Sequence, residues 1–405
     1  MAQLPSKLRF AFTPSGGYKA GALYPIVPND NVGNFDVVRN SIGTRVNKDG
    51  LIEVMDANVP RLDYSDGGCP KLLTELSSIN KLPYSEDFSQ SIYQKRDLTI
   101  SGGYLSPKGD NTAYLCTGND SDCAVNTNFT TVKNYAYTLS VYLKSNNGEN
   151  IDTSISLGSG SFPNSEGDGG KYKNITISGE WKRYYISSTA TSASVTVIGV
   201  LGGFGGMNSG DEILIWGASL EVLGHPSSYI PTNGSAFTRQ ADQVTNAGDS
   251  STFNSQSGVL LWDAKKIGSG GSITINDSSV SNRVLLGINT NGTITVIFSV
   301  NNVYQYIQTV SQFDSALQNK ISLSWKVNKF QLYINGLLCG EDTSGIVYNS
   351  GVLNQLSLNN AGNGYLQAKT KSIQHYDYLS DLEMEELTGY DSYSAMTSQF
   401  NFNVL

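Results

Sequence analysis

The chain has 405 residues, among them 42 glycines and 23 tyrosines, and only 15% are charged. That length exceeds one ordinary core and points to two or three domains, while turn formers, β-branched residues and aromatics together favour strands over helices. A net charge of −8 and a pI near 4.9 argue against a nucleic-acid-binding surface, and no run approaches the eighteen apolar residues of a membrane span.

Residues 1–78 read as an irregular N-terminal region. "MAQLPSKLRFAFTPSGGYKAG" has neither an apolar signal core nor a small-residue cleavage site, so export by a signal peptide is not expected. "TRVNKDGLIEV" predicts a hairpin around Asn47-Lys48-Asp49-Gly50, with the glycine tolerating positive φ. "ANVPRLDYSDGGCPKLL" is extended and turn-rich, and residues 71–79 have room for a short helix before "NKLPYSEDFSQS" breaks it. Too few contiguous apolar residues occur here for a separate core, so this region is expected to pack on the next domain, on sister chains or on an anchoring surface.

Residues 79–226 read as an antiparallel β-sandwich of jelly-roll or Greek-key type. "YAYTLSVYLKS" alternates with Tyr135, Tyr137, Leu139, Val141 and Leu143 on one face, and "KNITISGEWKRYYISST", "ASVTVIGVLGGFGG" and "DEILIWGASLEV" supply further strands. The stretch 227–244, "SSYIPTNGSAFTRQADQV", mixes Pro231 and Gly234 with Tyr229, Ile230 and Phe237. It is neither a plain linker nor a plain strand, and reads as a connector docked through its apolar residues.

Residues 245–405 predict a second antiparallel sandwich, with "LYINGLLCG" and "INTNGTITV" as hairpins, the first through Asn335-Gly336. Ser380 followed by Glu383 has capping-box spacing and predicts a short closing helix packed on the last sheet, ending near Gly389. The fold class expected is therefore mainly β: two antiparallel sandwiches after the N-terminal region, with a C-terminal helix.

Motifs that carry chemistry are scarce. His225 and His375 are expected at the surface or in turns, with no G-x-S-x-G near them. "GVLGGFGG" continues a strand and opens no helix, which argues against a phosphate cradle. No EF-hand or zinc spacing occurs; an Asp/Asn-rich loop such as "INDSS" leaves a calcium site open. Four cysteines stand at 69, 116, 123 and 339, and Cys116 and Cys123 in "CTGNDSDC" are either bridged or two free thiols on neighbouring strands. The acids of "DLEMEEL" fall on the closing helix, turned to solvent, and not on one face of a strand as a glycosidase pair would. No catalytic residue, no cofactor and no enzymatic activity are expected. For sugar binding, which needs rings to stack and amides to bond hydroxyls, the candidates are Trp181, Tyr184 and Tyr185 in "EWKRYYISS" and Asn359, Asn360, Asn363 and Tyr365 in "LNNAGNGYLQ". Core packing competes for the first group and a turn for the second.

Several stretches together resemble a known group. "TRVNKDGLIEVMDANVPRLDYSDGGCPKLLTE" resembles a segment near the start of bacteriophage virion structural proteins, tail and fibre proteins in particular, of Bacteroidetes and crAss-like phages. "NKLPYSEDFSQ" and "WGASLEVLGHPSSYIPTNGSAFTRQADQV" resemble the opening and closing segments of the carbohydrate-binding-module-like jelly roll in such proteins. "ISLSWKVNKFQLYINGLLCG" through "IQHYDYLSDLEMEELT" is similar to a concanavalin A-like, laminin-G-type domain. The resemblance implies a virion surface protein of head-fibre or tail-fibre type, assembled in the host cytoplasm and attached to other virion proteins through its N-terminal region. It also implies homotrimers and host-surface glycans as partners. The alternatives are a non-binding structural or decoration protein and a polysaccharide depolymerase.

Overall fold

A computed structural model describes residues 4–14, 18–19, 21–27, 33–158, 160–202 and 205–389. The chain is nearly all β, with antiparallel sheets and a short helix after the last strand. It divides into two compact units, Ser41–Val54 with Ser77–Gln240 (here the first sandwich) and Met1–Asn40 with Met55–Leu76 and Ala241–Leu405 (the second sandwich).

In the first sandwich one sheet runs Leu98–Tyr104, Ala113–Gly118, Glu212–Glu221, Ala136–Ser145, Lys182–Thr189, with Ser78–Asn80 added at Glu221 and Phe237–Arg239 paired to Ser78–Asn80 in turn. The facing sheet runs Gln94–Arg96, Ala124–Thr130, Val195–Leu201, Ile151–Ser156, Tyr172–Ile177. Because strand side chains alternate faces, Leu139, Val141 and Leu143 meet Ile151, Ile155, Ile198 and Val200 in the core between the sheets. Tyr172–Ile177 and Lys182–Thr189, adjacent in sequence across Gly179, lie in opposite sheets. The other face of the Ala136–Ser145 sheet carries its own small core of Ile52, Ala113, Trp216 and Tyr229. Trp216 packs on Tyr229 with centroids 4.6 Å apart, and its Nε1 donates to Thr112 Oγ1 at 2.9 Å. Gly217, at φ +64, sits in the irregular register beside Tyr142, where a Cβ would press on the Tyr142 and Tyr229 rings.

In the second sandwich the larger sheet runs Leu337–Asp342, Lys329–Ile334, Asn319–Lys326, Gly258–Lys266, Ala368–Tyr376, Lys71–Thr74, Arg61–Asp63, and Leu8–Phe12 also pairs with Ala368–Tyr376. The smaller sheet runs Val303–Val310, Ile294–Val300, Arg283–Ile288, Gly271–Asn276, Gln355–Ser357. Leu260, Trp262, Leu323, Trp325, Val296 and Phe298, each two residues from the next in its strand, form the core between them. The expected hairpins are present: Asn335 and Gly336 take φ of 51 and 83, and Gly292 takes 88. The Gly43–Val46/Ile52–Met55 hairpin closes with Gly50 at φ 79. Helix Asp381–Thr388 has both halves of the capping box at Ser380 and Glu383, and its Met384 joins Tyr333, Tyr376 and Leu379 on the sheet's other face. The rest of the C-terminal segment, from residue 390, lies outside the described residues.

Three expectations differ from what is seen. Residues 71–79 form no helix. Lys71–Thr74 pairs with both Ala368–Thr370 and Arg61–Asp63, and Ser78–Asn80 pairs in the other unit, so ladder bonds from distant strands override a helix of one or two turns. His375 is neither at the surface nor in a turn: it is fully buried, because it follows Ile373 by two residues on the inward face of its strand. Residues 1–78 do not stand apart, since they supply strands to both units, and the 227–244 stretch is shared in the same way. Tyr229 and Ile230 are buried in the first sandwich, while Gln243–Thr245 pairs with Asp36–Val38 in the second.

Inside the second sandwich, four charged side chains from distant positions are buried together. Arg61 Nη1 donates to Glu75 Oε2 at 2.8 Å and Arg61 Nη2 donates to Asp242. Arg39 Nη1 also donates to Asp242, at 3.0 Å. Burial would lower the Arg61 pKa, but Asp242 and Glu75 outweigh it and raise it, so the guanidinium stays charged between its two carboxylates. Cys116 and Cys123 are both buried free thiols. Burial, opposed by Lys95, pushes the Cys116 thiol up to about 12, and Cys123 Sγ donates to the carbonyls of Asp97 and Asp120.

Candidate functional site

The residues that sequence singles out do not converge. Tyr184 points into the core of the first sandwich and donates its hydroxyl to Thr176 O at 2.8 Å. Burial raises its pKa. Tyr185, its neighbour on the strand, faces the opposite way and is exposed, with Lys173 Nζ 4.8 Å from its ring centre. Trp181 is half-buried against the Trp216–Tyr229 cluster. Three consecutive-looking aromatics therefore have three different surroundings and make no shared stacking platform.

The second group is in the second sandwich and is organised as a turn. Asn360 and Asn363 exchange backbone hydrogen bonds at 2.9 and 3.0 Å, with Ala361 and Gly362 between them at φ 48 and 89. Asn359 is buried: its carbonyl accepts from Thr274 Oγ1 and its Oδ1 accepts from the Gly362 N–H. Only Tyr365 is exposed there as a large apolar surface. The Asn359 amide and the Asn360 and Asn363 backbone close the turn, while Asn360 Oδ1 is buried with no hydrogen-bond partner among the described residues.

A cleft of about 550 Å³ in the first sandwich brings together residues that sequence reasoning did not select. Its floor is built by "SEDFSQ". Phe88 is fully buried against Tyr93 and Tyr114, with centroids 4.8 and 6.0 Å away, and so anchors the loop. Asp87, beside it, accepts at Oδ1 from the Ser89 N–H, Ser89 Oγ and Tyr114 Oη, and at Oδ2 from Gln90 Nε2 at 2.7 Å. Burial would raise the Asp87 pKa, but the hydrogen bonds from Gln90, Ser89 and Tyr114 outweigh it and hold the carboxyl at about 2. The same contact, after burial, raises the Tyr114 hydroxyl.

One wall is the Pro231–Asn233 stretch. It is fixed to the other segment by Ser85 N–H to Thr232 O, Thr232 N–H to Ser85 Oγ and Gly234 N–H to Pro83 O. Glu86 Oε1 accepts from Tyr229 Oη at 2.9 Å, and Lys108 Nζ lies 3.6 Å from Glu86 and 3.1 Å from Asp110. Asn111 and Thr112 close the far side, and Gly103, with open space where a Cβ would be, leaves the mouth clear. The cleft thus offers a fixed carboxylate, a phenol, two side-chain amides and an apolar proline edge, the mixture that holds a polyhydroxylated ligand. A signal was present: both segments that resemble the ends of a carbohydrate-binding jelly roll contribute to it, yet their residues lie more than a hundred positions apart.

A smaller cleft of about 400 Å³ lies between Asp152, Asn174, Thr176 and Gly205, where Thr176 Oγ1 donates to Asp152 at 2.6 Å; it has no aromatic lining. Among the described residues no cluster of His, Cys, Asp and Glu could hold a metal ion, and no helix is long and apolar enough to cross a membrane.

No protein-family model and no curated protein matches this chain. Among solved structures, the CBM40 of the Ruminococcus gnavus IT-sialidase, bound to α2,3-sialyllactose, is 17% identical over 34% of this chain and 84% of its own, with a TM-score of 0.29. Domain 4 of a GH43 extracellular arabinanase from Geobacillus stearothermophilus, in complex with arabinotriose, is 11% identical over 41% of this chain and 82% of its own, TM-score 0.29. The heptameric SAP-like pentraxin of Limulus polyphemus is 11% identical over 34% of this chain and 72% of its own, TM-score 0.25.

Proposed function

We propose that this protein is a virion surface component of head-fibre or tail-fibre type whose first sandwich binds a host-surface glycan. The observation that carries the binding half is the cleft, where Asp87, Tyr114 and the amides of Asn111 and Asn233 surround an open volume the size of a sugar unit or two. The virion half rests on the resemblance of the N-terminal segment and of the jelly-roll ends to phage structural proteins. In this reading residues 1–78 contact other virion proteins, the assembly is a homotrimer in which three weak sites gain avidity, and the protein binds without hydrolysing. A second reading, a non-binding structural or decoration protein, is favoured by the packing of Tyr184 into the core and of Trp181, half-buried, against Trp216 and Tyr229, which removes a shared stacking platform for a sugar.

The test is a screen of the purified protein against glycan arrays, host capsular polysaccharide and intact cells, with immunogold labelling of purified particles. Asn111→Ala and Asn233→Ala should each weaken saturable binding by about tenfold, the scale of one lost ligand hydrogen bond, without changing the melting temperature. A folded protein that binds no glycan and no cell moves the assignment to the structural reading. Gold label absent from particles removes the virion assignment.

A further inference from the structure

We infer that the cleft of the first sandwich takes an uncharged sugar unit and turns away glycans that carry a carboxylate. This deepens the glycan-binding reading and rests on it.

The argument starts from what the lining offers. No lysine, arginine or histidine lines the cleft, whereas Glu86 and Asp87 both do. Two ammonium groups lie nearby and both are engaged before any ligand arrives: Lys108 between Glu86 and Asp110, and Lys95, which acts on Asp87, by the Ser89 and Gln90 carbonyls. The neighbourhood therefore sets three carboxylates against two ammonium groups, each already engaged. Asp87 keeps its charge at any working pH, since its hydrogen bonds hold it at about 2. Burial would raise Asp110, but Thr112, Ser106 and Lys108 lower it.

A hydroxyl suits this arrangement and a second anion does not. Asp87 Oδ1 already accepts three donors, but Oδ2 accepts only from Gln90, which leaves it an acceptor position for a sugar O–H. The side chains of Asn111 and Asn233 are exposed and make no hydrogen bond within the described residues. Each brings an N–H to donate to a ring or hydroxyl oxygen. A carboxylated sugar would place its charge within a few ångströms of Glu86 and Asp87, with no cation free to pair with it. At that range the repulsion is only partly screened at physiological salt.

The experiment uses the full chain and an array of matched pairs, each neutral glycan beside its acid-capped form, with lactose and 3′-sialyllactose among them. We expect the neutral member of a bound pair to be preferred by about tenfold or more in low salt, a difference of about 1.4 kcal/mol. The preference should shrink in 1 M salt and in Glu86→Gln, and should widen in Asn111→Asp, an exposed position that tolerates the change if Glu86→Gln fails to fold. Equal or tighter binding of acid-capped members overturns the inference while the glycan reading stands. A folded protein that binds no member of any pair overturns both. A neutral preference that neither variant moves overturns the assignment to this cleft.

Discussion

His375 stacks on Trp325 with ring centroids 5.5 Å apart and planes 15° apart, and lies edge-on to Phe253. Its Nε2 accepts from the Asn254 N–H at 3.1 Å, which leaves Nδ1 as the protonated nitrogen donating to Val259 O at 3.0 Å. Burial is the main reason its pKa is pushed down to about 4; Arg9 adds to this, and the Val259 bond and Asp377 oppose it. The folded imidazole therefore stays neutral while the unfolded one takes up a proton near its ordinary value of about 6.5. The unfolded state binds more protons between those two values, so stability rises with pH across the window from about 4 to 6.5 and falls on acidification through it, by a total on the order of 3 kcal/mol. Urea midpoints at pH 7.0, 5.5 and 4.5 should show this slope in the wild type and a shallower one in His375→Gln. Equal slopes would remove His375 as the cause. The position was legible in principle, because Ile373 and His375 share a period of two, but a lone histidine in a polar stretch carries no sign of which face is inward. The buried set of Arg39, Arg61, Glu75 and Asp242 was hidden more thoroughly. Each sits in a turn-rich stretch where a charge normally meets water, and Arg39 and Asp242 are 203 residues apart. The cleft shares that obstacle, since Glu86 and Asn233 come together through bonds between segments 83–85 and 232–234, far apart in the chain.

Elements whose signals are local are the ones the sequence states most clearly. Asn335-Gly336 adopts the left-handed pair that a two-residue hairpin requires, and the Ser380 capping box forms in full. Helix Asp381–Thr388 has eight residues, too few to hold together without its cap and its packing on the sheet. Ser380→Ala should therefore cost about 1 kcal/mol, read as a lower urea midpoint. The loss should exceed that of Leu382→Ala, since Leu382 is exposed. A Ser380→Ala variant as stable as wild type would mean that the Lys7–Glu383 ion pair, 2.7 Å long, fixes the first turn by itself. Where the sequence misleads, the partner is remote. Lys71–Thr74 has enough helix formers for a turn, but its neighbours in the ladder begin at Arg61 and at Ala368, and no window around residue 71 contains the second of these.

At the scale of the whole molecule, sequence pattern gives the two antiparallel sandwiches and their glycine-rich turns, but not how the chain is shared between them. Periodicity reports which residues face a core and is silent about which core, and the first 78 residues supply short strands to both. The pairing of Leu8–Phe12 with Ala368–Tyr376 has a consequence for how the protein is made. At a synthesis rate of roughly 5 to 20 residues per second, the ribosome needs about 20 to 70 s to add the roughly 360 residues between these partners. Throughout that time Phe10 and Phe12, destined for the core, lack the long strand they finally pair beside, and have near in sequence the Ala11–Val27 bridge and the Phe35 ring. The first sandwich, whose last residue is Gln240, is free to fold much earlier. On chains arrested after the strand Ile294–Val300, limited proteolysis should find the Trp216 region already resistant and the Leu8–Phe12 segment still cut. Early protection of that segment would show it finding a temporary partner. Otherwise a segment made roughly 360 residues before its partner is among the last to be secured, and a nascent-chain chaperone has a long task at Leu8–Phe12.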